Sequence, residues 1–195
     1  CGLSHAAFFS VLAVWQGYRS NCFYHKCRIF QFSVTAKEIP KVFAYYAQYD
    51  KSPNGQDGIP LEELSDIPDL CGCPFYERIA YAYLERPAMI LKAEPFLMMF
   101  SVLSSRASEE EKTRALFDCL DCSHDGNLGF DELFRFYKSI LNPAVDDDYI
   151  VDLVVRILER PGIKGEHRVS YEEFQKLISP EEIKEKMTVD LQLTS

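Results

Sequence analysis

The sequence predicts an all-α fold of four helix–loop–helix units in two lobes, and three observations carry the prediction. Helix-start signals recur in pairs on either side of short loops. One of those loops, residues 121–132, is rich in Asp and Gly with its polar side chains at alternate positions. Four apolar residues, Ile59, Leu91, Leu128 and Val169, stand at equivalent places in four successive stretches, so the chain repeats approximately. A helix pair flanking a loop leaves an apolar face that a second pair must cover. The units should therefore associate two by two, with short two-residue β pairings between loops centred on those four residues.

Taken in order, Thr35 and Glu38 form a capping-box pair, after which Ile39, Val42, Phe43 and Tyr46 share one helical face. Pro40 falls on the second turn and is expected to shift or kink that start. Ser108 with Glu111 caps a helix bearing Leu116, Phe117 and Leu120, which runs straight into the acidic loop. Leu133, Phe134, Phe136 and Tyr137 form an apolar exit helix beyond it. Ile150, Leu153, Val154, Ile157 and Leu158 give an i, i+3, i+4, i+7, i+8 stripe. Ser170 with Glu173 opens a helix through Phe174 and Ile178, and Ser179-Pro180 with Glu182 opens another. Four segments result: an N-terminal extension over 1–32, an N-terminal lobe over 33–104, a C-terminal lobe over 108–178, and a C-terminal helix and tail over 179–195.

The acidic loop carries the most specific signal. Asp121, Ser123 and Asp125 supply side-chain oxygens at loop positions 1, 3 and 5, Asn127 a backbone carbonyl at position 7, and Glu132 a carboxylate that can chelate at position 12. Gly126 takes the sharp turn at position 6, Leu128 points inward at position 8, and Gly129 at position 9 leaves a ligand place to water. This is the ligand order of an EF-hand, and a hard cation such as Ca²⁺ is the cofactor it calls for, at one site. With three carboxylates and a serine where a fourth often sits, affinity is expected at roughly 10⁻⁶ to 10⁻⁵ M.

The other three loops have lost ligands. Counting back from Phe174, positions 1 to 12 of the fourth loop are Gly162 to Glu173, with Lys164 at a ligand place, His167 where the turn favours Gly, and Val169 at position 8. The second loop, Leu84 to Pro95, has no carboxylate at positions 1, 3, 5 or 12. The first, Asp50 to Glu63, is two residues too long between its first acid and its last; Asp50, Asn54, Asp57 and Glu63 form either an irregular cation path or, as expected, a solvated turn.

Composition bounds the function. A 195-residue chain that is 47% hydrophobic and 26% charged is a globular composition, and a net charge of −9 with a pI near 5.0 excludes nucleic acid as the main partner. No stretch reaches the roughly 18–20 apolar residues that span a bilayer. The longest apolar run, Ala6 to Trp15, lacks the flanks of a signal peptide, so membrane contact is expected only indirectly. Seven cysteines, at 1, 22, 27, 71, 73, 119 and 122, do not form the even framework of a disulfide scaffold, and a reducing, cytoplasmic setting is expected. Cys119 and Cys122 are spaced as CxxC, yet Cys122 lies inside the acidic loop, so a redox role is not expected. Cys22, His25 and Cys27 with Cys71 and Cys73 match zinc spacing poorly. The four histidines make no catalytic pattern, and no enzyme activity is expected.

Residues 33 to 191 resemble the calcineurin B family, which includes the calcineurin B homologous proteins and, more distantly, the calcium- and integrin-binding proteins. Four stretches carry the resemblance: Thr35-Ala-Lys-Glu-Ile39 with Phe43; Leu64-Ser-Asp-Ile67-Pro68-Asp69-Leu70 with Pro74-Phe75 and Arg78-Ile79; the calcium loop; and Ile183-Lys-Glu-Lys-Met187-Thr-Val-Asp190. The resemblance implies a two-lobed regulatory subunit that closes a hydrophobic groove round an amphipathic helix of a protein partner, in that family a calcineurin A-type phosphatase chain. Two departures stand out. Phosphatase-type members keep four calcium loops where this chain keeps one, and the position that N-terminal myristoylation requires as Ser or Thr is Ala6. The apolar residues Phe96, Met99, Phe100, Phe134 and Phe136 are the candidate groove wall; Met98 and Met99 are adjacent and cannot face the same way. The competing readings are a free calcium sensor and an adaptor for a membrane exchanger or an integrin tail.

Overall fold

A computed structural model describes residues 34–52, 57–85, 87–141, 144–160 and 167–190. Its helices are α1 (Ile39–Tyr46), α2 (Tyr76–Tyr83), α3 (Ala93–Leu103), α4 (Glu109–Leu120), α5 (Phe130–Leu141), α6 (Asp147–Leu158), α7 (Tyr171–Leu177) and α8 (Pro180–Lys186). The extended pieces are two-residue strands: β1 (Ile59–Pro60) with β2 (Ile90–Leu91), and β3 (Asn127–Leu128) with β4 (Val169–Ser170), both pairs antiparallel. Ile59 stands opposite Leu91 and Leu128 opposite Val169, the pairings the repeat predicts. All four side chains are fully buried, so each ribbon ties two loops and roofs one lobe.

Helix starts follow the side-chain caps. Ser108 accepts from Glu111 N–H at 3.2 Å while its own N–H donates to the Glu111 carboxylate at 2.8 Å, and Ser170/Glu173 repeats the reciprocal box. Ser179/Glu182 does so again, with Pro180 at the first helical position, where no N–H is needed. The Thr35 pair forms only half a box. Glu38 accepts from Thr35 N–H at 2.9 Å, but the hydroxyl of Thr35 donates to Glu38 and caps nothing. The helix consequently starts at Ile39, and Pro40 lies in its first turn, not its second. Glu38 instead takes a two-pronged bond from Arg106 in the turn between α3 and α4, with Arg106 Nη2 at 2.8 Å, which holds its carboxyl down at about 2.

The segment after the first loop is not one helix but two 3₁₀ turns, Leu61–Asp66 and Pro68–Gly72. Pro68 is the cause: Ile67 before it is extended at φ −87°, ψ 104°, because the proline ring crowds the helical conformation of its predecessor. Leu64, Ile67 and Leu70 are nonetheless fully buried, so this broken segment still closes the lobe.

The lobes share one core. Phe75, just before α2, stacks on Phe136 of α5 with ring centroids 5.7 Å apart and planes 8° from parallel, and Phe136 also meets Phe174 edge-on. The C-terminal segment seals the seam. Ile183 and Met187 are fully buried, and Val189 N–H donates to Leu103 O at 2.8 Å at the end of α3. Beneath it lies Lys112 of α4, 1% exposed, whose ammonium donates to Val102 O at 3.1 Å and Met187 O at 2.6 Å. A buried cation thus joins the carboxyl ends of α3 and α8, where the helix dipoles favour positive charge.

The left-handed turn of the acidic loop recurs where ligands have been lost. Gly126 has φ 82°, and Met89 and His167, each at position 6 of its own loop, have φ 55° and 56°. Packing of the position-8 residues therefore imposes a conformation that side chains disfavour by about 1–2 kcal/mol. In the first loop the left-handed residue is Gly58 at φ 94°, one place nearer the ribbon, and a Cβ there would come within 2.4 Å of Ile90 Cγ2 and 3.0 Å of Leu91 O. Gly58→Ala should destabilise the chain by about 2 kcal/mol through backbone strain and overpacking, measured as a lowered denaturation midpoint.

The N-terminal extension, with Cys22, His25 and Cys27, lies outside the described residues, as do Asn54, Gly162 and Lys164. Cys71, Cys73, Cys119 and Cys122 are not in disulfides, and Cys73 is buried, which pushes it up to about 11. No described helix is long and apolar enough to cross a membrane.

Candidate metal centre

Helix α4 ends by delivering Asp121 as its C-cap, and α5 begins inside the loop, so that Glu132 rises from its first turn. Both carboxylates are 7% exposed. Ser123 Oγ lies 3.3 Å from Asp121 Oδ1 and 3.3 Å from Glu132 Oε1, which brings the ligands of positions 1, 3 and 12 to one side of the loop. Backbone donors hold them there. Asp121 accepts from the N–H groups of Asp125 (3.2 Å) and Gly126 (2.9 Å), and Glu132 from those of Cys122 (2.9 Å), Ser123 (3.2 Å) and Gly129 (2.8 Å). Asn127 donates its N–H to Asp125 Oδ1 at 2.9 Å, leaving its carbonyl for a ligand role.

Asp125 is the exception. Its Oδ2 is bound by the guanidinium of Arg168, which precedes β4 in the fourth loop. Among the described residues no group of three or more His, Cys, Asp or Glu side chains closes into a metal cage. The donor chemistry still fits a hard divalent cation. Two buried carboxylates face one hydroxyl, all the donors are oxygens, and the loop's inward N–H groups already stabilise negative charge at that point. Asp121, Ser123, Asp125, Asn127 and Glu132 would hold the ion, which when bound supplies the charge that offsets the two buried carboxylates.

Ion pairs link the described ends of the first two loops. Lys51 lies 3.2 Å from Glu63 and 3.0 Å from Asp66, so an ammonium spans the two ends of the first loop. Asp50 is 8% exposed, and burial opposes its charge. Hydrogen bonds from Ser52, Gly58 N–H and the Tyr46 hydroxyl more than compensate, and its carboxyl sits below the usual range. Glu85 and Lys92 pair at 3.3 Å across the second loop.

Of the candidate groove residues, Phe96, Met99, Phe100 and Phe136 are 0–3% exposed and belong to the closed core, while Phe134 is half-buried. Met98 is half-buried and Met99 fully buried, as their adjacency requires. These rings pack on one another and on their neighbours: Phe96 tilts onto Phe100 at 5.2 Å and Tyr46 meets Phe96 edge-on at 5.3 Å. Sequence reasoning missed Arg168, Lys51 and Lys112. Arg168 was within reach of it, because the register that joins Leu128 to Val169 sets Arg168 opposite Gly129.

No family model matches the chain. It is similar to the calcineurin B protein of Naegleria gruberi, with 27% identity over 157 residues, covering 80% of this chain and 88% of that protein. The calcineurin B protein of Kluyveromyces lactis matches at 25% identity, covering 78% and 86%, and the type 1 calcineurin B protein of Dictyostelium discoideum at 24%, covering 81% and 87%. Matched along four-fifths of its length and folded as helix pairs whose loops join in two short ribbons, the chain is similar to calcineurin B proteins.

Proposed function

We propose that this chain is a non-catalytic, calcium-binding regulatory subunit that holds an amphipathic helix of a protein partner, a calcineurin A-type phosphatase chain first among candidates. The observation that carries the reading is a loop with its ligand set in order, within a chain whose relatives are calcineurin B proteins matched along nearly their whole length. One calcium ion at Asp121, Ser123, Asp125, Asn127 and Glu132 would order the C-terminal lobe. The N-terminal lobe, with loops closed by Lys51 and by the Glu85–Lys92 pair, would hold its target without an ion. Phe96, Met99, Phe100, Phe134 and Phe136 would form the groove wall once the lobes part, the helix of the partner replacing contacts these rings now make with one another.

The test is binding of a calcineurin A-type catalytic chain to the protein with calcium and with chelator. Stoichiometric binding in both conditions, tighter with calcium, is the expected result. Binding instead to an exchanger or integrin tail would move the chain to a sister branch, and no binding to any of these would leave the free sensor.

A further inference from the structure

Asp125 has both carboxylate oxygens engaged, Oδ1 by Asn127 N–H and Oδ2 by the guanidinium of Arg168. The second contact comes from a different loop, one whose own ligand places are spoiled. The β3–β4 register, which pairs Leu128 with Val169, sets Arg168 across from Gly129 and so beside the third loop. Among the described residues Asp125 is the ligand carboxylate that forms an ion pair. Asp121 and Glu132 are held by backbone N–H groups, which also serve a loop containing an ion, whereas a guanidinium at a ligand carboxylate competes with one.

We propose that Arg168 is an affinity-setting residue of the calcium site, a tethered cation that the fourth loop lends to the third and that the ion must displace from Asp125. The proposal rests on the reading of residues 121–132 as a calcium site. It gives the fourth loop a role: having lost its ligands, it tunes its neighbour. It also couples the loops, since an ion at Asp125 releases Arg168, the residue just before β4. The side chains of Arg168 and Asp125 are 47% and 37% exposed, so the competition is partly screened and its effect modest.

Calcium titration calorimetry on the full chain tests this with three variants. Arg168→Gln should bind calcium about two- to fivefold more tightly than the parent, the range expected for loss of an exposed ion pair. Arg168→Lys, which keeps the charge, should stay within about twofold of the parent. Lys176→Gln removes the same charge from α7 and should produce less tightening than Arg168→Gln. A second readout is the Arg168 Nε–H resonance, which should shift as calcium is added. Unchanged or weaker binding by Arg168→Gln, or equal tightening by Lys176→Gln, overturns the proposal while the calcium reading stands. If neither the parent nor Arg168→Gln binds calcium, the calcium reading fails and takes the proposal with it.

Discussion

Replacing Glu132 with Gln is expected to weaken calcium binding roughly 100-fold while leaving the fold intact. The substitution keeps an oxygen that can accept from Cys122 and Ser123 N–H, but its amide NH2 cannot accept from Gly129 N–H, so one of the loop's internal bonds is lost. It removes the charge and the second chelating oxygen at position 12. A 100-fold change is about 2.7 kcal/mol, well above the error of calorimetry. Thermal unfolding without calcium should be nearly unchanged, since relief of repulsion between Asp121 and Glu132 offsets the weaker hydrogen bonds. Partner binding should fall only in part, because the N-terminal lobe closes on its own ion pairs; complete loss of both would reject the division of labour between the lobes.

Truncating Lys112 to Ala should destabilise the protein by about 3 kcal/mol. The change leaves a cavity under α8 and deprives Val102 O and Met187 O of their donor. Lys112→Met fills the space and removes a buried charge at the expense of those two bonds, so it should lie within about 1 kcal/mol of the parent. Hydrogen exchange locates the effect: protection of Val189 N–H, bonded to Leu103 O, should drop in the Ala variant before that of α5.

The same lysine gives a dependence on pH. Burial pushes it from 10.5 down to about 8, against the pull of Cys73, Asp190 and Glu111. Below about 8 folded and unfolded chains both carry the proton, and the cost of burying the charge is fully present. Between about 8 and 10.5 the unfolded chain retains a proton that the folded chain has shed, so this group's contribution to stability rises with pH, by roughly 3 kcal/mol over the window. The difference in stability between the parent and Lys112→Met should follow that rise in denaturant titrations at pH 7, 9 and 10. A flat difference would show that the lysine is solvated.

The four position-8 residues and the three complete capping boxes could be read from sequence because each depends on a local pattern, either the spacing from a helix start or a Ser three residues before a Glu. Thr35 shows where such a pattern is insufficient. Arg106, 68 residues away, offered Glu38 a charged partner, and the box formed only by half. The break at Ile67 is local in origin, since Pro68 crowds the helical conformation of the residue before it. In the metal loop the ligand places were legible because a loop must present oxygens in a fixed order, whereas the diversion of Asp125 depends on a residue 43 positions on.

By itself the sequence determined the all-α repeat, the pairing of loops through Ile59, Leu91, Leu128 and Val169, and the order of oxygen-bearing side chains in the candidate metal loop. These follow from short-range periodicity and from the chemistry of single side chains. Only the tertiary structure decided that Phe96, Met99, Phe100 and Phe136 close into a core, that Lys112 is buried beneath the tail, and that Met89 and His167 accept left-handed turns. Each of those outcomes is a competition between groups far apart in the chain, settled by which contacts can be made at once in three dimensions.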